Sequence, residues 1–217
     1  MRIIDLDTMP YQAAWDEQLR YHAEVLENGE PVLITVEHPP TITFGRRADD
    51  AEGNLKVDRD LLKRKNVALV ESDRGGDITY HGPGQLICYP IVRIADHGLT
   101  VGSYMRLLQD ATIQALAKFH LPARTDPDAV GVWVDPPHVR GVESAKIAAM
   151  GVRVRKGVTL HGLALNIETR LSDFEMIVPC GLERPVTSVQ AVLGSHAPSY
   201  IAVKAMMVRC LKSALAR

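Results

Sequence analysis

The chain has 217 residues, a formal net charge of −1 and a pI near 6.7, with 46% hydrophobic and 24% charged residues. That length suits a single domain, residues 1–217, with a sizeable core, and the composition excludes a disordered or fibrous chain. The near-neutral balance gives no overall electrostatic reason to bind nucleic acid or an anionic membrane.

Asp5 and Asp7 interrupt the apolar stretch a signal peptide needs, and no run approaches the roughly 18 apolar residues of a membrane span, so a cytoplasmic location is expected. In chain order, apolar residues at helical spacing (Tyr11, Ala14, Trp15, Leu19, Ala23, Leu26) predict an amphipathic helix over 11–26, stopped by Gly29 and Pro31. β-rich runs follow at 32–36 and 41–44, then a charged helix-compatible stretch at 58–65, then further β-runs at 67–70 and 85–94. A second helix is expected at about 103–119, ended by Pro122, and a strand at 131–134. Residues 146–154 and 158–167 read as two strands joined by Arg155-Lys156-Gly157, and a last helix spans about 199–215. Hairpins mixed with unevenly spaced helices lack the strict rhythm of a doubly wound fold, so the expected class is α/β (α+β), a mixed sheet flanked by helices.

Cys88, Cys180 and Cys210 lie far apart with no CxxC spacing, and the eight histidines form no HExxH pattern. Neither a disulfide framework nor a metal site is expected. Cys88 and Cys210 sit in apolar contexts and read as small core residues. Cys180 lies instead between Pro179 and Gly181, just past an apolar run, a better setting for a nucleophile.

Two further segments can carry chemistry. Residues 74–85, Arg-Gly-Gly-Asp-Ile-Thr-Tyr-His-Gly-Pro-Gly-Gln, place four glycines around Arg74, His81 and two hydroxyls, a loop that lets backbone approach a ligand closely. The same composition also suits two ordinary turns. In the hairpin, pairing Val154 with Val158 would set Met150 opposite Gly162. Ala149, Gly151, Gly162 and Ala164 would then form a small-residue patch, either a bed for a chain-like ligand or a seat for a helix. A thiol with a reference pKa of about 8.5 needs a partner to supply thiolate at neutral pH, and His81, His161 and Lys146 are the candidates. For lysine the acidity order favours thiolate plus ammonium by roughly 2.6 kcal/mol before desolvation.

With these segments in hand, the chain resembles the octanoyl-(acyl carrier protein):protein N-octanoyltransferases, also called lipoate–protein ligase B. The resemblance rests on RGGDITYHGPGQ at 74–85, KIAAMGVRVRKGVTLHGLALNI at 146–167 and VPCGL at 178–182. It implies the fold of biotin and lipoate protein ligases and a catalytic Cys180/Lys146 dyad. It also implies substrate contacts from Arg74, Gly75, Gly76, Asp77, Ile78, Thr79, Tyr80 and His81, and from Ala149, Met150, Gly151, His161, Gly162, Leu163 and Ala164. The activity it implies is ATP-independent and cofactor-free: octanoyl or lipoyl transfer, within lipoate biosynthesis, from acyl carrier protein to a specific lysine. The implied acceptors are lipoyl domains of 2-oxoacid dehydrogenase E2 subunits and the glycine cleavage H protein, with the enzyme a monomer. Rival readings are an ATP-dependent ligase of the same fold, a non-catalytic acyl-binding module, and a hydrolase pairing Cys180 with His81 or His161. Arg46, Arg47, Arg153, Arg155 and Lys156 are candidates for docking an acidic carrier, or simply solvated charges.

Overall fold

The structure, a computed structural model, describes residues 1–47, 54–135, 144–178 and 184–216. In chain order its elements are β1 (Arg2–Thr8), α1 (Tyr11–Asn28), β2 (Val32–Glu37), β3 (Thr41–Phe44), α2 (Arg59–Arg64), β4 (Ala68–Glu71), β5 (Ile78–His81), β6 (Gln85–Ile91), α3 (Val101–Ala117), β7 (Val132–Val134), β8 (Ala145–Arg155), β9 (Val158–Asn166), α4 (Val189–Leu193) and α5 (Tyr200–Ala214). Six strands form a mixed sheet in the order β1-β2-β6-β9-β8-β7, and three form a smaller sheet, β4-β3-β5. This is the mixed α/β architecture expected from the uneven alternation of strands and helices.

The large sheet is covered on both faces, which explains why β6 and β9 are buried along their whole length. One face packs Leu33, Leu86, Leu163 and Leu165 against Leu108, Ala115 and Leu116 of α3 and Val203, Met207 and Leu211 of α5. The other face packs Ile34, Ile87, Ile91 and Leu160 against Ala14, Tyr21 and Val25 of α1. A third cluster, including Ile42, Leu62, Ile78, Tyr80, Phe174 and Ile177, lies under the small sheet. Helix ends follow local chemistry. Gly29 closes α1 at φ +73° with its N–H on Val25 O, and Thr100 and Ser103 cap α3 reciprocally. Among the described residues, no helix is long and apolar enough to cross a membrane.

The β8–β9 hairpin corrects the predicted register by one residue. Lys156 (φ +51°) and Gly157 (φ +82°) alone make the turn, the positive-φ pair of a tight two-residue hairpin. Arg155 therefore pairs with Val158, and Gly151, not Met150, lies opposite Gly162. Three elements were not predicted. β1 alternates Ile4 and Leu6 with Asp5 and Asp7 as an edge strand parallel to β2, β5 falls inside the glycine-rich stretch, and α4 is barely more than one turn.

Candidate active site

A cavity of about 380 Å³ lies between the centre of the large sheet, the first turn of α1 and β5 of the small sheet. Ile87 and Tyr89 from β6, Ala149 and Met150 from β8, and Leu163 and Ala164 from β9 line it, and Ala149 faces Ala164 directly across the ladder. Its size falls within the range of small-ligand pockets, and its lining is mostly apolar.

The glycine-rich loop is held by Arg74. The buried guanidinium donates through Nε to Thr43 Oγ1 (3.0 Å), through Nη2 to Thr43 O (2.7 Å) and Asp77 O (2.6 Å), and through Nη1 to Gly75 O (3.1 Å). Gly75 N–H then bonds Val152 O (3.1 Å), so the loop rests on β8. A Cβ on Gly151 would come 2.4 Å from Gly75 O, and one on Gly162 would come 2.2 Å from Cys88 O. These two glycines are thus required by backbone packing, whereas Ala149 and Ala164 supply open floor.

Strand alternation sorts the residues expected at 78–81. Thr79 and His81 face the cavity, while Ile78 and Tyr80 point to the opposite side, into the cluster under the small sheet. Tyr80 OH donates to Asp173 Oδ2 (2.8 Å), and its ring meets Phe174 edge-on. Ile78 and Tyr80, expected among the substrate contacts, thus turn their side chains away from the cavity, and Gly75 lines a neighbouring groove.

His81 is buried, and burial drives its imidazole well below its ordinary pKa, so it is neutral. Its tautomer follows from a chain of bonds. Gln85 Nε2 donates to Tyr80 O and Asn166 Oδ1, which turns Gln85 Oε1 toward His81 Nδ1–H at 2.7 Å. Asn166 Nδ2 in turn donates to Thr187 O, and Thr187 N–H to Lys146 O. His161 is also lowered by burial, against the opposing bond to Asp73. Its Nε2–H reaches Asp73 Oδ1 at 2.7 Å. Between the pairs Cys88–Leu163 and Arg93–Val158 the β6–β9 ladder passes Pro90, which has no N–H. There His161 takes φ +58°, and its own N–H goes to Gln18 Oε1 (2.7 Å).

Lys146 reaches the cavity because β8 carries a bulge. Val132 pairs with Ala148 and Trp133 with Lys146, which leaves Ile147 unopposed. Ile147 and Ala148 both enter the core beside α3, and Lys146 falls on the cavity face with Ala149. Its Nζ lies 4.9 Å from the Trp133 ring centroid, and the Arg184 guanidinium stacks on the same ring at 3.9 Å. Lys146 N–H bonds Pro185 O (2.9 Å), so the chain lies against β8 five residues after Cys180. Cys180 itself lies outside the described residues. Of the other cysteines, Cys88 is a buried core residue whose thiol burial pushes up to about 12, and Cys210 is half-buried on α5.

Tyr11, Tyr89 and Ala129 also line the cavity, and His38 stands behind it with Nε2 on Tyr89 OH (2.9 Å). The sequence placed Tyr11 only in a helical apolar stripe and gave no signal for His38. Arg74, Gly76, Asp77, Thr79, His81, Lys146, Ala149, Met150, Gly151, His161, Gly162, Leu163 and Ala164 do converge on one cavity. Among the described residues no three of His, Cys, Asp or Glu group as a metal site.

Comparison with known proteins matches residues 10–212 to the lipoyl protein ligase A/B catalytic domain. An octanoyltransferase of Deinococcus radiodurans is 42% identical over 191 residues, covering 87% of this chain but only 56% of that protein. One of Chloroflexus aggregans is 43% identical over 202 residues, covering 91% of this chain and 87% of its own length. In fold, the bipartite lipoate protein ligase of Thermoplasma acidophilum superposes with a TM-score of 0.75 at 20% identity, over 99% of this chain and 83% of that one. The match over nearly the whole chain, together with relatives above 40% identity, places this protein in the lipoyl protein ligase A/B catalytic domain family.

Proposed function

We propose that this protein transfers an octanoyl or lipoyl group from the thioester of an acyl carrier protein to a lysine of a lipoyl domain, through a thioester on Cys180. The observation that carries the proposal is the mostly apolar cavity into which the β8 bulge turns Lys146, in a chain whose relatives are octanoyltransferases. An eight-carbon chain buried there contributes on the order of 5 kcal/mol, at about 0.8 kcal/mol per methylene. Enough of the cavity wall is neutral rings and aliphatic side chains to hold it without a charged partner.

In the first half-reaction the Cys180 thiolate attacks the donor carbonyl, the C–S bond to the carrier breaks, and the carrier thiolate leaves. One thioester replaces another of similar energy, so the exchange needs no ATP. The acceptor amine then attacks the Cys180 thioester, the C–S bond breaks, and a more stable amide forms. As an ammonium, Lys146 favours the Cys180 thiolate and gives its proton to the departing carrier thiolate; now neutral, it takes the proton the attacking amine must lose. The bond between Lys146 N–H and Pro185 O supports the dyad, because only a short stretch separates Cys180 from the residue tied to Lys146.

The test is intact-protein mass after mixing with octanoyl-acyl carrier protein in the absence of ATP. A Cys180 adduct that disappears on adding a lipoyl domain is expected, and Cys180→Ser should form none. Ligation by Cys180→Ser at the wild-type rate, from free octanoate and ATP, would overturn the proposal.

A further inference from the structure

A second groove, about 550 Å³, opens beside the acyl cavity and is continuous with it through Arg47, Gly76, Val130, Met150 and Gly151. Its walls combine Arg46, Arg47 and Arg153 with Val101, Met105 and Val130. Val101 and Val130 are 49% and 51% exposed, two of the few large apolar side chains left in solvent among the described residues.

The charge here is unbalanced. Asp73 Oδ2 stands 3.8 Å from Arg153 Nε, beyond hydrogen-bond reach, and its other oxygen is held by His161 at 2.7 Å. The His161 hydrogen bond, and then Arg155 and Arg46, hold its carboxyl below the usual range, so several guanidinium groups converge on one carboxylate. Arg153 Nε is buried without a hydrogen-bond partner among the described residues. Two acidic residues line the adjoining cavity, Asp77, which accepts from Ile78 N–H and Asn54 Nδ2, and the exposed Asp128, but neither lines the groove itself.

We propose that this groove receives the phosphate-bearing arm of the acyl donor, with the phosphodiester against Arg46, Arg47 and Arg153 and the arm's less polar stretch against Val101, Met105 and Val130. The proposal rests on the acyl-transfer reading and assigns the donor, not the acceptor, to this entrance. A cationic acceptor lysine would meet like charge here, whereas an anionic arm meets opposite charge.

The experiment compares octanoyl-4′-phosphopantetheine with octanoyl-pantetheine, which lacks the phosphate, as donors. The readout is the second-order rate of acyl-protein formation by intact mass. The phosphate is expected to accelerate wild-type acylation about tenfold, the effect of one good charge-assisted contact, and the advantage should shrink with added salt. Arg46→Gln/Arg153→Gln should bring the ratio of the two donors close to one. Should that double variant fail to fold, the exposed Arg46→Gln alone should lower the ratio at least twofold. Equal wild-type rates with both donors, or a ratio unmoved by either variant, overturn the groove assignment while leaving acyl transfer standing. If neither donor acylates the wild-type protein, the transfer reading falls and the groove assignment with it.

Discussion

If Ala149 and Ala164 are the floor of an acyl cavity, enlarging one of them should shorten the chain the protein accepts. The two methyl groups face each other across β8 and β9, and both line the cavity. Ala149→Leu adds three carbons to a half-buried position on that floor, room otherwise open to about three methylenes of the substrate. At about 0.8 kcal/mol per methylene, displacing them costs roughly 2.4 kcal/mol, or about 50-fold in the second-order rate with an octanoyl thioester. A pentanoyl donor, too short to use that space, should change by less than about threefold. Rates of acyl-protein formation across a pentanoyl to decanoyl series measure both, and the expected result is a preference moved toward shorter chains. An equal fall at every length would mean that leucine damages the reacting end, not the chain-binding floor. No fall at any length would mean that the chain lies elsewhere.

Three other outcomes follow from particular contacts. Gly131 has φ +137°, and a Cβ there would come 2.7 Å from Ala148 O and 3.2 Å from Lys146 Cε. Gly131→Ala should therefore destabilise the fold by about 1–3 kcal/mol in a denaturant titration and slow transfer at least tenfold by displacing Lys146. Burial holds His38 down to about 4, so the folded protein binds fewer protons than the unfolded chain below the unfolded pKa near 6.5. Its stabilising contribution is full above that pKa and is lost as pH falls. It amounts to about 2 kcal/mol between pH 7 and pH 5, with His81 and His161 acting in the same direction, and unfolding midpoints across that range check it. Tyr80→Phe removes the bond to Asp173 on the far side of β5, so it should cost about 1 kcal/mol of stability yet leave kcat/KM within about twofold. A tenfold loss of kcat/KM would return Tyr80 to the substrate.

Long amphipathic segments were legible because their periodicity is set by burial: α1, α3 and α5, and most strands, lie within a few residues of the apolar patterns. The hairpin register differs by one from the pattern's expectation because turn length, not pattern, decides it, and Arg155 has no feature that separates a strand end from a loop. β5 was hidden by its neighbours: Ile78-Thr79-Tyr80-His81 alternates correctly, but the glycines on either side drew the whole stretch into a loop. Those same glycines explain why a motif cannot distinguish a residue that lines a cavity from one that faces away. Nor does sequence reveal long-range polar contacts, such as Gln18 on His161 N–H or the Gln85–Asn166–Thr187 chain that joins His81 to the backbone of Lys146.

The bulge at Ile147 is where fold and proposed chemistry meet. In an unbroken β8, Lys146 would share a face with Ala148 and point into the core beside α3, where an ammonium is expensive to bury. One unopposed residue reverses that and sets the amine at the cavity beside Trp133, with its stem passing over Gly131. The ring groups of the cavity are meanwhile uncharged: His81 and His161 are kept neutral by burial, and the Tyr11 and Tyr89 hydroxyls are pushed up by it, while Arg74 and Asp77 line its glycine-loop side. Charge is therefore separated from the chain-binding floor, with Lys146 on one side and the Arg46–Arg47–Arg153 groove on another. Under the proposed reaction, chain length would be selected by packing at Ala149 and Ala164, and donor identity by charge at the groove. Because Ala149 lines the cavity alone and Arg46 the groove alone, the effects of Ala149→Leu and Arg46→Gln should add in free energy.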